Sequence, residues 1–439
     1  MQSASPFEVD SARLARFGRL AVPCEVRELL ATMRGPEKEP KDEMIDAVQD
    51  NAASRTSSVP TELKELLEFP GVLSLAADLP APELFPMSAV AQASAHLLAD
   101  PGPSELGTPF QPLKAQIVEL MAMRGVRCRP EQIVLTTGIE GALDLLGRLL
   151  LDPGSQVLLE ETVSEKVRAA LPLDPEILTV STDPRTGIDV GQVEALLAGG
   201  ARPAFLYVIP EGHNPLGVSL GLEKRLQLLD LARAYEVPIL EDDTYGFLSY
   251  DGHPEPPLRA LDARWPVYLG SFSMLLAPAL RAGWIVLPDD PPARLALLPA
   301  AAELDVPSFS HRTISAFLEA GHLPEHLETI RAAYRRRRDT LLRTLQEHFP
   351  REARWSRPSS GLYVWVELPE GFPKEMTSSE LLRDAVALEN VAFTPGSVFA
   401  TRGGGHADRA LRLSFGNNPP HRIEEGVQRL ARVLQTKLV

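Results

Sequence analysis

Between residues 100 and 290, short and nearly continuous apolar runs alternate with segments whose apolar residues recur every three or four positions. "EQIVLTT" ends at a glycine and leads into the helix-like "EGALDLLGRLLL"; "SQVLLEE", "PAFLYVIP", "VPILEDD", "PVYLGSF" and "AGWIVLP" are further short apolar runs. "LEKRLQLLDLARAYE" places Leu222, Leu226, Leu229 and Ala232 on one predicted helical face. Apolar strands without an alternating polar face, spaced by amphipathic helices, predict a mainly parallel sheet covered on both sides. Ligands of such α/β sheets bind beyond the carboxyl ends of the strands. The residues expected there are Thr137-Gly138, Glu241-Asp242-Asp243 and Ser271-Phe272-Ser273.

After residue 300 the pattern changes. "HLPEHLETIRAAYRRRRDTLLRTLQEHF" predicts a long helix, "GLYVWVELP" and "LRLSFGN" strands, and "RIEEGVQRLARVLQ" a closing helix. The expected division is an N-terminal segment over 1–100 that contributes to a smaller domain, a large α/β domain over 101–300, and a small α+β domain over 301–439. Residues 35–60, rich in Pro, Ser, Asn and charge, read as an exposed insertion. The run Arg335 to Arg338 is expected on a solvated helix face.

Charge and cysteine content narrow the function classes. A formal net charge of -15 disfavours nucleic acid and anionic membrane as partners. Two cysteines, Cys24 and Cys128, stand in no metal-ligand spacing and give no disulfide framework. There is no signal-like apolar stretch at the start and no run of 18 apolar residues, so a soluble cytoplasmic protein without a metal site is expected.

The strand ends carry groups with recognisable chemistry. Asp242 closes an apolar strand, so its carboxylate is expected to be partly desolvated, with the Tyr245 phenol beside it. "HNPLG" is a tight turn whose Asn214 presents an amide. Ser271, Ser273 and Arg281 supply hydroxyls and a guanidinium suited to phosphate or carboxylate. Each alone has an ordinary structural reading; the set in this order is specific.

With those motifs in place, the chain resembles the class I/II aminotransferases of the fold-type I pyridoxal-phosphate (PLP) group. The likeness is to the branch of 2-aminoadipate aminotransferases and the aminotransferase domains of GntR-type regulators. "VLSLAADLPAPELFP", "IVLTTGIEGALDLL", "VIPEGHNPLGVSL", "ILEDDTYGFLSYDG", "SFSMLLAPALRAGWI" and "LRLSFGN" follow the family's order. The resemblance implies that Asp242 pairs with a pyridine nitrogen, that Tyr245 and Asn214 hold the ring oxygen, and that Gly138, Ser271, Ser273 and Arg281 hold its phosphate. It further implies that Arg412, with Asn214, takes a substrate carboxylate, and that the protein is a homodimer.

Several positions depart from that pattern. In the resemblance Met274 stands where the family has its Schiff-base lysine, and a thioether neither forms an aldimine nor shuttles a proton. Ser164 replaces the aromatic that stacks on the ring, and Ser104 lies roughly where the family has a tyrosine that reaches the partner's phosphate. Ile139 and Glu140 alter the phosphate cup, with Glu140 setting a negative charge at a helix start, and Asp78 replaces a loop glycine. Lys166 reads as a surface lysine at a helix start, and His213 as an ordinary neighbour of the Asn-Pro turn. The leading expectation is a lysine-less small-molecule enzyme of specialised metabolism that reuses the pocket without covalently bound cofactor. Asp242 and Tyr245 would carry acid/base roles, with Arg412 or Arg281 holding a carboxylate-bearing substrate. The alternatives are noncovalent use of PLP or pyridoxamine phosphate (PMP), and a non-catalytic pseudoenzyme or partner subunit.

Overall fold

The computed structural model describes residues 71–99, 112–252, 254–302, 308–369, 371–373, 376–401 and 405–438. The 35–60 segment and Ser104 lie outside the described residues. The apolar runs become strands β1 (Ile133–Thr136), β2 (Gln156–Glu160), β3 (Glu176–Val180), β4 (Leu206–Val208), β5 (Ile239–Asp242), β6 (Pro266–Ser271) and β7 (Gly283–Val286). They form one seven-stranded sheet in the order β1–β7–β6–β5–β4–β2–β3. Strands β2 to β6 pair in parallel, and β7 runs antiparallel to both of its neighbours, β1 and β6. Successive residues of β5 feed opposite layers, as a doubly covered sheet requires. Ile239 joins the core containing Val208 and Leu229, and Leu240 joins the core containing Leu146 and Val167.

Helix α1 (Ile139–Leu150) follows β1 through Gly138, whose φ of 106° falls in the region favouring glycine. Helix α2 (Glu165–Ala170) follows β2, and helix α3 (Leu222–Tyr235) precedes β5. The predicted face of α3 is displaced around the helix. Arg225, Leu228, Leu229 and Ala232 are buried, whereas Leu222 and Leu226 are exposed. The reason is a buried cation: Arg225 donates to Glu211 at 2.9 Å, to the Leu220 carbonyl at 2.8 Å and to the Pro210 carbonyl at 3.0 Å. With its hydrogen bonds met, an arginine occupies a core-facing position that apolar spacing would give to leucine.

Helix α4 (Leu323–His348) leads to a second, antiparallel sheet of β8 (Arg354–Trp355), β9 (Tyr363–Glu367), β10 (Thr394–Pro395) and β11 (Ala410–Ser414), ordered β8–β9–β11–β10. The arginine run on α4 is not uniformly solvated. Arg335 and Arg336 are exposed, but Arg337 and Arg338 are buried. Arg337 donates to the Gly416 carbonyl at 2.5 Å and pairs with Glu83, while Arg338 pairs with Asp251 and Asp339.

The segment at Leu73–Ser74 pairs in parallel with Val391–Ala392, and the Leu75 N–H donates to the Ala392 carbonyl at 2.7 Å. The Leu75 carbonyl in turn accepts from the Ser414 N–H at 2.7 Å. These bonds fix the following residues, Ala76 to Asp78, beside β11 and its Arg412. Among the described residues no helix is long and apolar enough to cross a membrane.

Candidate active site

A cavity of about 100 Å³ opens where β2, β4, β5 and β6 end, and Ser164, Tyr207, Asp242, Tyr245, Ser271 and Met274 all line it. These ends converge because parallel strands point their carboxyl termini to one edge of the sheet. Asp78, Glu140, Lys166, Asn214, Thr244 and Ser273 complete the polar part of the wall among the described residues. Most of the residues singled out from sequence therefore meet. Gly138, Arg281 and Arg412 do not form the wall.

Asp242 is buried, and both of its oxygens are engaged. Oδ2 accepts from the Tyr207 hydroxyl at 2.6 Å, and Oδ1 accepts from the Thr244 N–H at 2.9 Å and the Thr244 hydroxyl at 2.6 Å. Burial raises its carboxyl above the ordinary value, and the bonds from Thr244 and Tyr207 only partly offset this. Burial, reinforced by the Asp78 charge, pushes the Tyr245 phenol upward as well, so it stays protonated near neutrality. Its hydroxyl lies 3.1 Å from that of Tyr363. Sequence reasoning missed Tyr207, Thr244 and Tyr363. Tyr207 obeys the strand-end rule that picked out Asp242, but "PAFLYVIP" reads simply as a buried strand. Tyr363 comes from the second sheet and carries no local signal.

Arg412 is buried between aromatic rings, 4.3 Å from the Tyr363 centroid and 4.8 Å from that of Phe399. Its Nη1 donates to Asn214 Oδ1 at 2.8 Å and to Asp78 Oδ1 at 3.3 Å, and its Nη2 donates to the Ala76 carbonyl at 2.9 Å. Asp78 also accepts from the Tyr363 hydroxyl and, at 2.6 Å, from Lys166 Nζ. Burial alone would raise the Asp78 carboxyl. The charges of Arg412 and Lys166, with the Lys166 and Tyr363 hydrogen bonds, outweigh it and hold the group below its ordinary value. The surface reading of Lys166 is thus incomplete: its side chain is 53% exposed, yet it lines the cavity and is tied to Asp78. Asn214, expected to serve a ligand oxygen, commits its carbonyl to Arg412.

A second charge pair lies at the start of α1. Glu140 Oε2 stands 3.6 Å from Arg281 Nη1, and a methyl added at Gly138 would lie 3.7 Å from the same Oε2. The carboxylate therefore lies close to Gly138 at the amino end of its own helix, the end whose dipole favours an anion. Ser271 is buried, and its hydroxyl accepts from the Ser273 N–H at 3.1 Å. Met274, half-buried, follows directly and gives the cavity a thioether where its neighbours Ser271 and Ser273 give hydroxyls.

This sheet order, with a polar constellation across the ends of β2, β4, β5 and β6, defines an α/β fold with a polar cavity at the carboxyl edge of its sheet. The chain belongs to the aminotransferase class I and II family, which matches residues 72–430. It is 36% identical over 399 residues to the 2-aminoadipate transaminase of Thermus thermophilus, covering 89% of this chain and 97% of that protein. Among solved structures, the α-aminoadipate aminotransferase of Thermus thermophilus, complexed with N-(5'-phosphopyridoxyl)-L-leucine, is similar at 37% identity and a TM-score of 0.77, covering 88% of this chain and 97% of that one. The kynurenine aminotransferase of Pyrococcus horikoshii, complexed with PMP, gives 30% identity and a TM-score of 0.80, covering 90% and 100%. The fold is that of the fold-type I aminotransferases.

The family implies PLP, and the residues here fit it poorly. A phosphate at the start of α1 meets the Glu140 carboxylate, and Arg281 is already paired with it. Ser164, rather than an aromatic ring, lines the wall at the start of α2. The one lysine on the wall is held by Asp78.

Proposed function

We propose that this protein is a small-molecule enzyme of the aminotransferase fold that works without an internal aldimine. The observation that carries this reading is the composition of the cavity wall: a Met274 thioether follows the Ser271–Ser273 turn, and Lys166, the one amine on the wall among the described residues, is held in an ion pair. Asp242 acts as the base, since its raised carboxyl has a proton affinity nearer neutrality than an ordinary carboxylate. Tyr245 stays protonated and acts as hydrogen-bond donor and acid. Tyr207 and Thr244 fix the direction in which Asp242 faces the ligand. A homodimer is part of this reading, on the strength of the family relationship. Noncovalent PLP or PMP is the competing reading, favoured by retention of Asp242 with Tyr245 on the wall.

The test is an absorbance titration of the purified protein with PLP, followed by borohydride reduction and intact-mass analysis, in wild type and Met274→Lys. Wild type is expected to give no reducible adduct inside the pocket. A stoichiometric adduct mapped to Lys166 in wild type would defeat the reading.

A further inference from the structure

Resting on that reading, we propose that the cavity takes a small organic amine, because Asp78 and Glu140 already pair with Arg412 and Arg281, the two guanidinium groups on which an anionic ligand would otherwise rely. Arg412, the group expected to clamp a substrate carboxylate, already has one: Asp78 sits against Nη1 and is shared with Lys166 and Tyr363. At the start of α1 Glu140 likewise takes the Arg281 charge and stands beside Gly138. Both arginines are thus paired with the chain's own carboxylates, and both carboxylates line one cavity.

What a ligand meets follows from which groups reach the wall. Asp78, Glu140 and Asp242 line it, but of the three nearby cations only Lys166 does; Arg281 and Arg412 stand behind. At the wall itself, among the described residues, three carboxylates face one cation, so an anion meets no surplus positive charge there. A second anion would approach Asp78 and Glu140 at the cost of like-charge repulsion. An ammonium faces the opposite situation. Asp242 accepts three hydrogen bonds, and a carboxylate has about four acceptor positions, so Oδ2 retains one for a further donor. The remaining wall, with Ile139, Leu143, Ile209 and Met274, suits a hydrocarbon chain. At about 100 Å³ the cavity admits a compact ligand, since ordinary ligand clefts run roughly 300–1,000 Å³.

The experiment is calorimetry of the full chain with two probes of similar length, 1,4-diaminobutane and glutarate, at fixed ionic strength. Wild type is expected to bind the diamine at least about tenfold more tightly than glutarate. Asp78→Asn should narrow or reverse that preference, weakening the diamine and strengthening glutarate by about tenfold each. Glu140→Gln is the second variant and should move the ratio the same way by less, because its site is more solvated. A wild-type preference for glutarate, absence of diamine binding, or a ratio indifferent to both substitutions overturns the proposal. If Asp78→Asn folds poorly, the wild-type ratio and Glu140→Gln still decide it. A PLP adduct on Lys166 would sink the aldimine-free reading instead, and it is read by mass rather than by this ratio.

Discussion

The two carboxylate–arginine pairs beside the cavity have similar composition and different surroundings. The Arg412 side chain is 4% exposed and that of Asp78 is 26% exposed, whereas Arg281 and Glu140 are 54% and 42% exposed. The first pair sits between aromatic rings and shares its carboxylate with a lysine and a phenol. The second is a single 3.6 Å contact open to water and salt. Charge compensation is therefore part of the folded core at one pair and a solvent-weakened bias at the other. The identity of the residues does not set this difference; the packing around them does.

Arg412→Ala is the harshest way to break the comparison. It removes a guanidinium packed on two rings and leaves Asp78 with Lys166 and the Tyr363 hydroxyl, so it should cost about 3–5 kcal/mol, read from the shift of a urea midpoint. Asp78→Asn keeps an acceptor on Arg412 but removes the charge, and should cost about 1–3 kcal/mol. The pH dependence gives its sign. The Asp78 carboxyl is held below its ordinary value of 3.8, so its stabilisation is present above that value and is lost as pH falls through the folded one. The stability gap between wild type and Asp78→Asn should therefore be full at pH 7 and close as the protein is acidified below about pH 4, as followed by thermal melts. Glu140→Gln, at the exposed pair, should change stability by less than about 0.5 kcal/mol, and roughly 0.5 M salt should erase even that. An equal cost for Glu140→Gln and Asp78→Asn would remove the distinction between the two pairs.

The large sheet was legible in the sequence because fully buried parallel strands are written as unbroken apolar runs. Those same runs located Asp242, Ser271 and Ser273 at the ends facing the cavity. What the pattern misplaced were buried cations. Arg225 displaced the predicted face of α3, and Arg337 and Arg338 entered the core from a run that reads as solvated. Each is admitted in part by a carbonyl or carboxylate well removed in sequence, Pro210 for Arg225, Gly416 for Arg337 and Asp251 for Arg338, and apolar periodicity holds no trace of them. Asp78 was visible as a departure in a loop, but its role was not. Its partners Arg412 and Tyr363 lie more than 280 residues further along, brought close by the pairing of Leu73–Ser74 with Val391–Ala392.

The most direct measurement is a crystal structure grown with millimolar glutarate and PLP present. The account predicts Asp78 still paired with Arg412 and Lys166, Glu140 still close to Gly138 at the start of α1, and no carboxylate or phosphate group in either place. A glutarate carboxylate seated on Arg412 with Asp78 turned away, or a PLP phosphate at Gly138 with Glu140 displaced, would contradict it.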